Sequence, residues 1–246
     1  MGALDERVAV VTGGSRGIGR AIVRRLAADG ASVLFSYHQR ADLAAELVAD
    51  LRAAGGRADA VRADLSDLDD VRGLFDEAER SFGGVDVLVA NAGAGADVPV
   101  VDTTEEFYDR LMAVNAKSAF FAIQQAARRM RDSGSVVTVS SVATALPAPG
   151  GAVYAATKAA VEQFTRVAAC ELAERGIRVN AVSPGPTDTD LLRRGNPPEE
   201  LRAAVAMTPL ARLGRPADIA GVVAFLAGPD AAWITGQNIR ATGGMA

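Results

Sequence analysis

The sequence predicts an α/β fold, a doubly wound parallel sheet with helices on both faces. Short runs rich in Val, Ile and Leu alternate with helix-period segments along all 246 residues. Most of those runs are continuously apolar, as strands covered on both faces must be. No repeat, low-complexity tract or linker divides the chain, so residues 1–246 read as a single domain. Apolar residues make up 49% and charged residues 23%, enough for a packed core.

Taken in order, Arg7–Thr12 reads as the first strand and Gly17–Asp29 as the first helix, entered through a glycine-rich turn. Ser32–Ser36 and the helix Ala41–Ala54 follow, stopped by the glycines of "AAGGR". Asp59–Arg62 leads to the helix Asp67–Phe82, with Asp67 as N-cap and "SFGG" as its stop. Val85–Ala90 precedes one long helical pattern, Thr104–Arg131, capped by Thr104. Ser135–Ser140, the helix Val153–Glu174, Arg178–Val182 and the helix Pro216–Leu226 come next, and a last strand lies near Asn238–Arg240. That makes about seven strands. "RRGNPPEE" (193–200), rich in charge, Pro and Gly, reads as a mobile loop within the segment 186–209.

The stretch "VVTGGSRGIGRAI" sets Gly13, Gly14, Gly17 and Gly19 between the first strand and the first helix. Glycine inside an element costs about 0.5–1 kcal/mol relative to alanine, so four of them need a reason. A diphosphate resting on the helix N-terminus supplies it, held by unpaired N–H groups and the positive end of the dipole.

The second constellation is Tyr154 and Lys158, four apart and so on one face of a helix. A phenol titrates near 10, and a neighbouring ammonium is expected to lower it into general acid–base range. Ser141 precedes Tyr154 by thirteen positions at a strand end, where its hydroxyl can hold the oxygen that Tyr154 protonates.

In this order the motifs resemble those of the short-chain dehydrogenase/reductase family over nearly the whole chain. The family's TGxxxGxG stands at Thr12–Gly19, its acidic residue after the third strand at Asp64-Leu65, and its NAG at Asn91-Ala92-Gly93. Its helix asparagine stands at Asn115, its serine at Ser141, its YxxxK at Tyr154–Lys158, and its PG turn at Pro184-Gly185, followed by Thr187 and Thr189. The resemblance implies a Rossmann-like fold and an oxidoreductase with Asn115, Ser141, Tyr154 and Lys158 as catalytic residues. It places the cofactor against Gly13, Ser15, Arg16, Gly17, Ile18 and Gly19, against Asp64 and Leu65, and against Asn91, Ala92 and Gly93. Pro184, Gly185, Thr187 and Thr189 complete that contact. It also gives Lys158 the nicotinamide ribose and Asn115 a water that links Lys158 to solvent.

The second strand ends "LFSYHQR", with Ser36, Tyr37 and His38 where an NAD-preferring fold places an acid, and none follows before Asp42. Arg16 lies in the glycine turn. A missing carboxylate and an added guanidinium favour the 2′-phosphate of NADP(H) over NAD(H). The expected function is hydride transfer between NADP(H) and a carbonyl or alcohol. The alternatives are an NAD(H)-dependent alcohol, sugar or steroid dehydrogenase and, outside catalysis, an NADP(H)-binding regulatory protein.

Among family groups the chain looks most like the 3-oxoacyl-carrier-protein reductases, through "GGVDVLVANAG", "RGIRVNAVSPG" and "ITGQNIRATGG". That implies a substrate linked to a carrier protein or CoA, docked through Arg175 and Arg129 or Arg131. It also implies a homotetramer, consistent with the apolar excess of "FFAIQQAA" and "VEQFTRVAAC". Thr144 stands at a frequent glycine position of the family, near the expected substrate pocket. The segment 186–209 is expected to cover the substrate, with Leu191, Leu192 and Met207 as apolar lining.

A net charge of −4 argues against nucleic acid, and no apolar run is long enough to span a membrane. The start lacks a secretion pattern and Glu6 replaces the Ser or Thr of a myristoylation signal, so a cytoplasmic location is expected. The lone histidine, His38, and the lone cysteine, Cys170, cannot build a zinc site of the usual type. Cys170 is expected to be a buried small hydrophobe and His38 an exposed loop residue.

Overall fold

Seven parallel strands make one sheet in the order β3-β2-β1-β4-β5-β6-β7. The structure, a computed structural model, describes residues 2–246. The strands are β1 (Val8–Val11), β2 (Ser32–Tyr37), β3 (Ala58–Arg62), β4 (Val87–Ala90), β5 (Ser135–Val139), β6 (Arg178–Pro184) and β7 (Asn238–Ala241). The helices are α1 (Gly17–Ala28), α2 (Ala41–Ala53), α3 (Leu68–Phe82), α4 (Glu105–Met112), α5 (Ser118–Arg129), α6 (Ala152–Glu171), α7 (Asp190–Gly195), α8 (Pro198–Met207) and α9 (Pro216–Ala227).

Neighbouring residues of a strand point to opposite faces, so a doubly covered strand must be apolar at every position. In β1, Ala9 and Val11 join a core built with Ile22 and Leu26 of α1, Leu47 of α2 and Val223 of α9. Val10 faces the other way, into a core with Leu74 and Phe75 of α3, Ile123 of α5 and Leu172 beyond α6. The caps fall where the sequence puts them: Asp67 accepts from the Asp69 N–H at 2.9 Å and Thr104 from the Phe107 N–H at 3.2 Å.

The pattern Thr104–Arg131 is not one helix. A π-helical turn over Ala113–Lys117 separates α4 from α5. One extra residue in a turn leaves the apolar periodicity almost intact, so the sequence hides it. The stretch 193–200 is not an irregular loop either, since it ends α7 and begins α8. Thr189 caps α7 by accepting from the Leu192 N–H at 3.3 Å, and α8 opens with Pro198, Glu199 and Glu200 in its first turn. Proline without an N–H and acids near the dipole both suit a helix start. Cys170 is exposed, not buried, because Ala168 and Ala169 take the inward positions of α6 at that level.

The strand order reverses between β1 and β4, where a parallel sheet opens a crevice at its carboxyl edge. Thr12 stitches that edge together. Its Oγ1 accepts from the N–H groups of Asn91 (3.0 Å) and Ala92 (2.9 Å), while its own N–H donates to the Val89 carbonyl (3.0 Å).

Candidate active site

The glycine turn is shaped by close approach. Gly13 and Gly17 have φ of +67° and +54°, in the left-handed region that side chains avoid. A Cβ on Gly19 would lie 2.1 Å from the Gly13 carbonyl oxygen. The first N–H groups of α1 have no intrahelical acceptor, and the Arg16 side chain at its N-cap makes no capping hydrogen bond. Donors face outward from a backbone stripped of side chains, which is the cradle a diphosphate fits. Thr189 closes over it, its Cγ2 3.3 Å from where a Gly17 Cβ would stand.

Two residues expected to touch the cofactor also brace this turn. Ser36 is buried, and its Oγ accepts from the Gly13 N–H at 3.0 Å. Asn91 donates through Nδ2 to the carbonyls of Thr12 (2.9 Å) and Gly13 (3.2 Å). Tyr37 is partly buried, while Arg16 and His38 are exposed at the same end of the sheet. Asp64 is exposed, and its carboxylate is held below the usual range by hydrogen bonds from the Ser66 hydroxyl and N–H. Leu65, Ser15, Pro184 and Thr187 are buried; Ile18, Gly185 and Thr189 are partly buried, and Gly93 is exposed. Thr187 donates from Oγ1 to the Gly185 carbonyl at 2.9 Å, keeping the segment after β6 tight.

Ser141, Tyr154 and Lys158 meet where β5 ends and α6 begins. Ser141 caps a short 3-10 turn, its Oγ accepting from the Ala143 N–H at 3.2 Å. Lys158 is buried, its ammonium 5.8 Å from the Tyr154 ring centroid and donating to the Val139 carbonyl at 2.8 Å. Burial pulls its pKa down to about 8. Burial also raises the Tyr154 phenol, with the Ser141 hydroxyl pulling the other way and the Asp97 charge adding to the rise. The expected lowering by Lys158 is therefore not what this geometry produces. The ammonium donates to a strand-end carbonyl, burial outweighs the Ser141 hydroxyl, and the phenol keeps its proton. A phenol that keeps its proton at neutral pH is suited to donating it.

The loop after β4 runs beside this group. A Cβ on Gly93 would lie 3.3 Å from both Lys158 Nζ and Asn115 Oδ1. Asn115, on the π-helical turn, accepts from the Ala94 N–H (2.8 Å) and donates to the Ala94 carbonyl (2.8 Å) and the Thr157 hydroxyl (3.1 Å). Its side-chain amide braces that loop against α6. The Val139 carbonyl, Ala94 and Thr157 were missed at the sequence level, because backbone partners leave no side-chain signature.

Leu191 approaches the same mouth, its Cδ2 3.9 Å from a Gly95 Cβ position that is also 3.9 Å from Tyr154 Cε2. Met207 and Leu210 are exposed nearby in the chain. The Thr144 hydroxyl lies 2.7 Å from Glu162 Oε1. The three arginines expected to dock a carrier are all engaged within the chain. Arg129 pairs with Asp76 and Glu79, Arg131 with the buried Asp86, and Arg175 with Asp132 and the carbonyls of Ala127 and Met130.

The family model described as enoyl-(acyl carrier protein) reductase matches residues 13–246. An uncharacterised oxidoreductase of Methylorubrum extorquens is 46% identical over the full length of both chains. A short-chain dehydrogenase/reductase from Serratia marcescens superposes with a TM-score of 0.95 at 40% identity, covering 99% of each chain. An angucycline C-6 ketoreductase with bound NADP gives a TM-score of 0.94 at 41% identity, covering 99% of this chain and 97% of the other.

Proposed function

The chain belongs to the short-chain dehydrogenase/reductase family, and we propose that it is an NADP(H)-dependent reductase of carbonyl compounds. One observation carries this reading: Ser141, Tyr154 and Lys158 converge beside the Gly93 loop, at the carboxyl edge that also presents the glycine cradle. Tyr154 gives its proton to the substrate oxygen, and the Ser141 hydroxyl hydrogen-bonds the same oxygen as charge develops on it. Lys158 and Asn115 hold the walls of the pocket in register. The bound nicotinamide supplies the hydride.

The cradle residues Gly13, Arg16, Gly17, Ile18 and Gly19 would hold the diphosphate end. Arg16, Tyr37 and His38 would hold the 2′-phosphate, with no carboxylate at the end of β2 to oppose it. The ketoreductase crystallised with NADP supports both the cofactor and the carbonyl chemistry. The internal pairing of Arg129, Arg131 and Arg175 favours a free small ketone over a carrier-linked one. The segment 186–209, with α7 and α8, covers that substrate.

We also propose a homotetramer. Phe120 and Val167, on α5 and α6, are 43% and 47% exposed, and Trp233, near β7, is 100% exposed. No helix among the described residues is long and apolar enough to cross a membrane. The cytoplasm, which keeps the single exposed thiol of Cys170 reduced, suits the molecule.

The deciding experiment follows NADPH and NADH oxidation against a panel of cyclic ketones, quinones, acyl thioesters and sugars. Turnover of at least one ketone with NADPH favoured is the expected result. NADH preference, or binding of NADPH without turnover of any carbonyl compound, would overturn it in favour of the dehydrogenase or the regulatory protein.

A further inference from the structure

Glu162 lies one turn beyond Lys158 on α6, with its side chain only 11% exposed. Its Oε1 accepts from the Thr144 hydroxyl at 2.7 Å and the Ser140 hydroxyl at 2.8 Å, and the Ser183 hydroxyl stands 3.3 Å away. Arg166, the cation beside it, is 3.9 Å from Oε2, too far for a hydrogen bond. A carboxylate withdrawn from water must be satisfied by donors, and here hydroxyls supply them.

Those hydroxyls are not scattered. Ser140 and Thr144 flank Ser141 in the chain. Thr144 donates its N–H to the Ser141 carbonyl at 3.3 Å, and its hydroxyl oxygen lies 3.0 Å from that same carbonyl. One carboxylate thus grips both ends of the short turn that carries Ser141. Ser183 also reaches Asn238 Oδ1 at 2.8 Å, which ties the grip to β6 and β7. A glycine at position 144 would have no hydroxyl to place between Glu162 and the turn.

We infer that Thr144 and Glu162 form a positioning pair that sets the Ser141 hydroxyl against the Tyr154 phenol, an inference that rests on the reductase reading above. The contacts of Thr144 and Glu162 run to each other and to the turn that carries Ser141, so both act through Ser141. A hydroxyl held against a phenol stabilises the phenolate and opposes the effect of burial. Loosening the turn should therefore raise the phenol's titration point, which a merely structural polar cluster would not do.

The test is an ultraviolet difference titration of Tyr154 in the NADP+ complex, with Tyr154→Phe as the blank for the other tyrosines. It needs no substrate, so it stands even if the ketone panel fails. Thr144→Val should move the titration up by about half a unit or more, and Thr144→Ser should restore it. In a Glu162→Gln background, which also removes a negative charge, Thr144→Val should add nothing further. In a Ser141→Ala background, Thr144→Val should add nothing. Where a ketone is turned over, kcat should fall about 5–10-fold, the loss of one ordinary hydrogen bond, with the NADPH KM unchanged. Unchanged titration in Thr144→Val, or a shift that persists on top of Ser141→Ala, would overturn the pairing. Should Glu162→Gln fail to fold, the near-isosteric Thr144→Val set against Ser141→Ala decides.

Discussion

Lys158 Nζ donates to the Val139 carbonyl at 2.8 Å, so the last residue of β5 anchors the ammonium. With the side chain buried, the lysine titrates at about 8 instead of 10.5. Because the folded value lies below the unfolded one, the charged lysine weakens the fold below pH 8, and that penalty is relieved as pH rises toward 10.5. Wild-type stability relative to Lys158→Met should therefore rise across that window, by up to about 3 kcal/mol. Denaturant unfolding of the cofactor-free proteins at several pH values measures it. Parallel pH dependences of the two proteins would contradict the burial argument.

Tyr154→Phe keeps the ring and removes the proton. Turnover should drop by about 10²–10⁴-fold, the usual contribution of a placed general acid. NADPH binding, followed by fluorescence, should be retained. A near wild-type kcat would sink the role given to the phenol.

Arg16 is exposed at the glycine turn and leaves its helix uncapped. Arg16→Ala should weaken NADPH about ten- to a hundred-fold, as expected for a charged hydrogen bond worth about 1.5–3 kcal/mol. NADH should hardly change. Tyr37→Asp should go further, repelling the phosphate while offering the ribose a partner. Steady-state KM and kcat/KM for both cofactors decide. An equal loss for both would make Arg16 a solvated loop charge.

Ser36 should behave differently from Arg16 because its hydroxyl accepts from Gly13. Ser36→Ala leaves that N–H without its acceptor inside the turn, costing about 1–3 kcal/mol of stability. Both cofactors should then weaken by the same factor. A loss confined to NADPH would return Ser36 to the phosphate site.

Phe120 and Val167 are the exposed apolar residues of α5 and α6. Light scattering should find a tetramer, and a Phe120→Glu/Val167→Arg double variant should reduce it to a smaller species. Wild type running as a monomer of about 25 kDa would refute the assembly, since apolar surface of that kind seeks a partner.

Much of this molecule is local in the chain and so was legible there. Strand and helix periods, the glycine turn, and the four-residue spacing that puts Tyr154 and Lys158 on one helix face all follow from backbone geometry. The caps at Asp67 and Thr104 were legible for the same reason: a cap bonds an N–H two or three residues on. Packing between distant segments decided the rest. The Lys158 ammonium finds the Val139 carbonyl, a partner that lies at the end of β5. Ser36 and Asn91 bond to Gly13 across the turn, a pairing between segments far apart in the chain. The Thr144 hydroxyl meets Glu162, eighteen positions later in the chain. A backbone carbonyl is the same at every residue, and burial depends on neighbours far away in the chain. No run of letters distinguishes one such partner from another before the sheet and helices close around it.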